Sequence, residues 1–302
     1  MKIIIAGGSG FLGKVLSSHF VKKGYQVVVL TRQHQLDTEK VRYEKWDGRS
    51  LGPWARQLEG ADALINLTGK SVDCRYTEPN KQLIYDSRID ATNVLGQAIE
   101  RLSAPPPIWI NASSATIYRH SLEKAMDEAS GELGKGFSVD VCKKWERTFF
   151  ESKTEIRKVA LRIAIVLGKE DGALKPLKDL ARIGMGGKQG NGNQFFSWIH
   201  EEDFCNVVDF VIHDESLEGV LNVAAPAPIT NKSIMKAIRR SIGVPFGFPL
   251  PKWILEIGAL LIKTETELIL KSRRVVPKRL LDLGFTFRYP EVHLALQDLI
   301  HK

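Results

Sequence analysis

The sequence predicts an α/β fold: a doubly wound parallel sheet followed by a smaller, mostly α C-terminal domain. Three observations carry this. Short apolar runs of strand type alternate with helical stretches over residues 1–168. The first run leads directly into a glycine-rich turn and then a helix, the context in which a helix N-terminus holds phosphate groups. After residue 168 the pattern changes, first to a glycine-rich stretch and then to mostly helical sequence. Alternating strands and helices imply right-handed crossovers and a sheet covered on both faces.

The first strand is Lys2-Ile3-Ile4-Ile5-Ala6, followed by Gly7-Gly8-Ser9-Gly10-Phe11-Leu12-Gly13 and a helix from Lys14 to Lys23. The spacing is GxxGxxG. Gly7 allows the tight turn, Gly10 leaves room for a pyrophosphate, and Gly13 lets helix and sheet pack closely. The second strand, Gln26 to Leu30, ends in Thr31-Arg32, with no acid until Asp37. An acid there would accept from a ribose 2′-hydroxyl, whereas an arginine pairs with a 2′-phosphate. The expected cofactor is therefore NADP (NADPH) in preference to NAD.

A third strand, Val41 to Trp46, ends in Asp47-Gly48. Asp47 is placed either to contact the adenine amino group or to open a turn. The fourth, Ala61 to Leu67, ends in Thr68-Gly69, at the carboxyl edge where such sheets bind ligands. A helix from about residue 80 to Leu102 is stopped by Pro105-Pro106-Pro107. The fifth strand, Ile108 to Ala112, ends in Ser113-Ser114; residues 119–137 read as a loop, and Val139 to Ser152 as a helix. The sixth strand runs from Val159 through Ile165 to Leu167.

In the second half, residues 184–193 are too glycine-rich for a regular element and suit a loop or lid. Phe195 to His200 reads as a strand, Glu201 to Ile212 as an amphipathic helix, and Val220 to Ala224 as a strand. Asn231 is a candidate N-cap for the next helix, and the tail from Lys252 is mostly helical. The expected organisation is a nucleotide-binding domain at 1–168, to which segments near 195–225 return. A substrate domain covers 169–302, with a helical tail at about 250–302.

Composition narrows the function classes. The net charge of +8 arises from 43 basic and 35 acidic residues, mostly scattered. One cluster stands out, Lys271, Arg273, Arg274, Lys278 and Arg279, and reads as a solvated helix end, a basic groove or an oligomer contact. No aromatic residues interleave with a basic stripe, so nucleic acid is not expected as a partner. Three separated cysteines, Cys74, Cys142 and Cys205, make no disulfide framework and suit a reducing, cytoplasmic setting. The apolar stretch Trp253 to Ile262 is too short for a membrane span. His200-Glu201 lacks the second histidine of HExxH, since Phe204 stands there, so no metal is expected.

Several motifs agree on a family. The opening GGSGFLG, Ser113-Ser114 followed by Ala115-Thr116-Ile117-Tyr118, the Leu161-Arg162 strand and Trp198 to Asp203 resemble the extended short-chain dehydrogenase/reductases, the nucleotide-sugar epimerases and dehydratases. More narrowly, Asn66-Leu67-Thr68-Gly69, Cys142-Lys143-Lys144-Trp145-Glu146, Pro277-Lys278-Arg279-Leu280 and Gly284 to Pro290 resemble an atypical epimerase-family branch of unknown function. The resemblance covers essentially the whole chain. It implies a Rossmann-type sheet, a polar small-molecule substrate of the sugar-nucleotide kind, and is compatible with a homodimer. The expected cofactor set is Gly7, Gly10, Phe11, Leu12, Gly13, Thr31, Arg32, Asp47, Leu67, Thr68, Gly69, Ser113 and Ile165. Arg88 joins them in place of the family's supporting asparagine.

The chain departs from the family at its chemistry. Aligning on Glu146 puts Ser138 where the family's Tyr-x-x-x-Lys pair has tyrosine and Cys142 where it has lysine. Only the serine, Ser114, is retained. Cys142, whose thiolate a nearby Arg88 would favour, and Tyr118, four residues past Ser114, are the candidate replacements; Asp140, Lys143 and Lys144 are weaker ones. Two functions follow: an NADP-dependent oxidoreductase or epimerase with a rearranged active site, or a non-catalytic NADP-binding sensor or regulatory protein.

Overall fold

The computed structural model describes residues 1–33, 35–261 and 267–301. Seven strands form one parallel sheet in the order β10-β6-β5-β4-β1-β2-β3. These are β1 (Lys2–Ala6), β2 (Gln26–Thr31), β3 (Val41–Lys45), β4 (Ala63–Asn66), β5 (Ile108–Ser114), β6 (Arg157–Ile163) and β10 (Gly219–Val223). Residue alternation divides the core. Ile3, Ile5, Val27 and Val29 face Leu16 and Phe20 on one side. Ile4, Val28 and Leu64 face Trp54, Leu95 and Trp109 on the other. Successive side chains on a strand point to opposite faces, so a run apolar at every position must be covered twice. Helices α1 (Phe11–Lys22), α2 (Glu78–Ile99) and α3 (Phe137–Phe150) supply that cover, with α5 (Glu201–His213) beside α1. The strand order reverses at β1 and β4, which opens a crevice at their carboxyl ends.

The structure revises several element expectations. The sixth strand does not run unbroken to Leu167. It ends at Ile163, and β7 (Ile165–Leu167) leaves the sheet to pair in parallel with β9 (Trp198–His200). The Phe195–His200 run divides likewise, with β8 (Phe195–Phe196) pairing against β11 (Ile229–Thr230). Asn231 opens helix α6 (Asn231–Ser241) but does not cap it; Thr230 holds the cap position. The Asn231 amide instead accepts from the Gln189 backbone N–H and donates to its side-chain oxygen, each at 2.8 Å. Residues 184–190 also bond in both directions to Phe248 and Leu250. The glycine-rich segment is thus stitched down rather than free as a lid.

Helices α4 (Leu174–Arg182) and α10 (Val292–His301) both pack on α6, around Trp198, Ile234, Ile238 and Leu299. The tail also contains α7 (Lys252–Leu261), α8 (Glu267–Leu270) and α9 (Lys278–Asp282); residues 262–266 lie outside the described residues. Of the basic cluster, Lys278 and Arg279 do begin α9, with Lys278 exposed, whereas Lys271, Arg273 and Arg274 lie outside any helix. Residues 272–276 run extended and are bonded to both sides: Ser272 to His120 and Ser121, Arg273 to Phe195, and Arg274 and Val276 to Met126. Among the described residues, no helix is long and apolar enough to cross a membrane.

Candidate functional site

A cavity of about 450 Å³ opens at the carboxyl ends of β1, β4 and β5. Its rim is the glycine turn. Gly7 has φ +76°, and a Cβ there would sit 2.9 Å from the Thr68 backbone. Both features exclude other residues, because positive φ is costly with a side chain. A Cβ on Gly13 would collide with Gly8, so the first turn of α1 can close on the loop only as glycine. Gly10 faces open space, its nearest neighbour Gly7 O at 3.9 Å. The turn is tied to the second strand, since Gly7 N–H donates to Leu30 O at 3.0 Å. Arg32 follows two residues past Leu30 and is exposed.

Below the turn lies a buried polar network. Asn66 Nδ2 donates to Asn111 Oδ1 at 2.7 Å, while Asn66 Oδ1 accepts from Thr68 N–H at 3.0 Å. It fixes the path of residues 67–69. Thr68 Oγ1 is buried there without a hydrogen-bond partner. Such an orphan donor beside an open glycine cradle is what a bound phosphate or ribose would satisfy.

The inner end of the cavity is lined by Ser114, Arg88, Tyr76, Ser138 and Cys142. Arg88 is held from several directions. Its Nη1 donates to Lys70 O and Ile84 O, its guanidinium lies 5.0 Å above the Trp145 ring, and a Cβ on Gly69 would come within 2.9 Å of it. Ser114 Oγ accepts from Thr116 N–H at 3.2 Å, leaving its own proton free to donate. The Tyr76 hydroxyl stands 3.4 Å from Ser138 Oγ, with its ring edge-on to Phe137. The C-terminal tail reaches the same place: Ser138 Oγ donates to Glu267 at 3.3 Å, and Lys271 donates to Glu267 at 3.1 Å.

The sequence-derived residues fall into groups. Gly7, Gly10, Phe11, Leu12, Gly13, Leu67, Arg88, Ser113, Ser114 and Cys142 all border the cavity. Thr31, Arg32, Asp47, Thr68, Gly69 and Ile165 lie outside its lining. Asp47 opens a turn, accepting from the Arg49 and Ser50 N–H groups at 2.8 Å each. Those bonds hold its carboxyl below the ordinary range. Ser113 turns its hydroxyl to Glu146 at 2.6 Å. Ile165 begins β7, opposite Trp198.

Three expectations need correction. Tyr118 does not face the cavity. It is fully buried, donates to Asn222 Oδ1 at 2.8 Å and accepts from Arg162 at 2.9 Å. The Cys142 thiol is not activated. Burial and then the Glu146 carboxylate push it up to about 12, outweighing the opposite pull of Arg88 and Arg273. The alternative groups on α3 are committed elsewhere: Asp140 to Tyr85 and Lys144, and Lys143 to Gly134 O. Sequence reasoning missed Tyr76 and Glu267, and named Arg273 only as one member of the basic cluster. Tyr76 sits in a polar stretch without periodicity, and Glu267 lies over one hundred residues from the cavity wall it approaches. Among the described residues, no group of three or more His, Cys, Asp or Glu side chains could hold a metal ion.

Comparison with known proteins matches this geometry. Residues 3–224 match the NAD dependent epimerase/dehydratase family, and residues 250–299 match a domain of unknown function, DUF1731. The chain is 34% identical to the epimerase family protein YfhF of Bacillus subtilis, over 99% of this chain and 98% of that one. The crystal structure of human epimerase family protein SDR39U1 with NADPH superposes with a TM-score of 0.90 at 27% identity, covering 100% of both chains. A nucleoside-diphosphate sugar epimerase from Corynebacterium glutamicum superposes with a TM-score of 0.79 at 28% identity, covering 100% of this chain and 59% of that one. On its sequence match, its Rossmann-type sheet and its glycine turn, the chain belongs to the NAD dependent epimerase/dehydratase family, as an atypical extended short-chain dehydrogenase/reductase.

Proposed function

We propose that the protein is an NADP(H)-dependent oxidoreductase or epimerase acting on a polar small molecule with a rearranged proton-transfer site. The observation that carries this reading is one cavity that joins the glycine turn to Ser114, Arg88 and Tyr76. The cradle fits a dinucleotide: open space at Gly10, an orphan hydroxyl at Thr68, and the N-terminus of α1. Arg32, with no acid at the end of β2, favours the 2′-phosphorylated form, and the SDR39U1 structure carries NADPH. When bound, the cofactor supplies or accepts hydride. The chain's own residues do the rest. Ser114 donates a hydrogen bond from its hydroxyl to the substrate oxygen. Tyr76, not Ser138 or Cys142, moves the proton, since it is the phenol on the cavity wall, where Arg88 also stands.

The test is NADPH consumption with a panel of carbonyl compounds and sugar nucleotides. Tyr76→Phe should lower turnover by about 100-fold or more, the usual contribution of a positioned acid or base, with NADPH affinity within about twofold. A fully active Tyr76→Phe protein would remove Tyr76 from the reaction. Tight NADPH binding without turnover across the panel would favour a sensor or regulatory protein. That second reading is motivated by the serine and the protonated thiol in the places of Tyr and Lys.

A further inference from the structure

Helix α6 presents a row of cations with no acid among them. Its apolar side, Ile234, Met235 and Ile238, packs into the core. Lys232, Lys236 and Arg239 share the other side, four and three residues apart. Together with Lys188, Ser233 and Gly247 they line a second cavity, of about 380 Å³. None of these residues borders the crevice that holds Ser114 and Tyr76. No carboxylate lines this second cavity. The sequence accounts for that: it has no acid between Asp179 and Glu201, and none between Glu218 and Glu256. Among the described residues, no ion pair reaches Lys188, Lys232, Lys236 or Arg239. By contrast, Lys81, Lys144 and Lys278 each have a helical acid three or four residues away. Like charges four residues apart on one helix repel, so the row costs stability unless a counter-charge joins it.

The cavity is shaped by backbone contacts. Gly187 N–H donates to Phe248 O at 3.0 Å and Leu250 N–H to Lys188 O at 2.9 Å, which ties the two segments together. A Cβ on Gly247 would come within 2.6 Å of the Gly186 carbonyl carbon and 2.8 Å of Arg239 Cδ. The Arg239 head is fixed in turn, since its Nη1 donates to Gly186 O at 2.6 Å. Ser233 Oγ accepts from Thr230 Oγ1 at 2.9 Å, so its own proton is free for a ligand.

We propose that this cavity is a second ligand site, separate from the crevice, that takes a diphosphate or a comparably charged phosphate ester. Four cations line it, and a single carboxylate would leave most of their charge unmatched. A diphosphate brings several negative charges, and lysine ammonium groups hold phosphate as compact point charges. The occupant binds apart from the reacting substrate, because the two cavities share no lining residue. Its binding does not depend on the reaction in the crevice.

The experiment is calorimetric titration of the full-length protein with inorganic diphosphate, with acetate as the control, at constant ionic strength. Each titration is run with and without saturating NADPH. Diphosphate should bind at least about tenfold more tightly than acetate in both conditions, the scale of a charge-assisted contact. The variant Lys232→Gln/Lys236→Gln alters two exposed side chains. It should weaken diphosphate binding by about tenfold or more, while Tyr76→Phe leaves that binding unchanged. Diphosphate should raise the melting temperature of the wild type and not that of the double variant. In buffer free of multivalent anions the double variant should melt no lower than the wild type, because it relieves the repulsion along α6. Vesicles of phosphatidylcholine with and without phosphatidic acid separate the two sources of such a group. Retention by phosphatidic acid that the double variant loses assigns a lipid headgroup, and binding of free diphosphate without retention assigns a soluble ligand. Diphosphate binding that is no tighter than acetate binding, that NADPH abolishes, or that survives the double variant overturns the inference. Failure of NADPH to bind while variant-sensitive diphosphate binding persists would count against the proposed function alone.

Discussion

Cys142 and Arg162 show how burial decides chemistry residue by residue. The cysteine is expected where the family has its lysine, but burial holds its proton. Its folded value lies above its ordinary 9, so above pH 9 the unfolded chain loses a proton that the folded chain keeps. Stability should therefore fall as pH rises through that range, and Cys142→Ala should lessen the fall in melting temperature between pH 9 and 10.5. An unchanged pH slope would mean that the thiol ionises freely. Arg162 makes a two-pronged pair with Glu146 at 2.9 and 2.8 Å, both side chains about nine-tenths buried. Arg162→Met strands a buried carboxylate and should cost about 3–5 kcal/mol in chemical denaturation. The double variant Arg162→Met/Glu146→Leu should recover much of that loss. A single variant costing under about 1 kcal/mol would show that Glu146 finds another partner or becomes protonated.

Individual elements carry the same logic in their junctions. The first turn of α1 closes on Gly8 through Gly13, so Gly13→Ala should cost about 1–3 kcal/mol, the range for overpacking. It should also weaken nucleotide binding; a variant with wild-type melting temperature and NADPH affinity would refute the close approach. Where β9 passes into α5, His200 stacks on Tyr289 at 3.8 Å and accepts from Glu202 N–H at 3.0 Å. Burial lowers its value from 6.5 to about 4 despite Asp298 nearby. In that window the unfolded chain binds a proton the folded one refuses, so stability should drop as pH falls from 6.5 toward 4. His200→Gln should flatten that part of the melting curve, and an unaltered slope would assign the acid sensitivity elsewhere.

At the scale of the whole molecule, the sheet was legible because apolar strands, helices and the glycine turn are each local patterns. The rim of the cavity was legible for the same reason: Gly7, Gly10 and Gly13 are spaced by the turn they form. The break at Ala164 was not, because one apolar run serves two sheets and only the pairing of β7 with β9 divides it. Tyr118 was misread because its direction depends on Asn222, 104 residues away. Tyr76 and Glu267 were invisible for a related reason, since tertiary contacts alone bring the tail to α3. The basic cluster reads in sequence as one feature, but its members have separate partners.

The cavity is proposed to be an NADP(H) site. Calorimetric titration of the ligand-free protein with NADPH and with NADH tests this most directly. NADPH should bind at least about tenfold more tightly, as expected for a charge-assisted phosphate contact, and Arg32→Ser should erase the difference while leaving NADH binding in place. Equal or tighter binding of NADH would contradict the role given to Arg32, and absence of binding by either nucleotide would contradict the reading of the site as a whole.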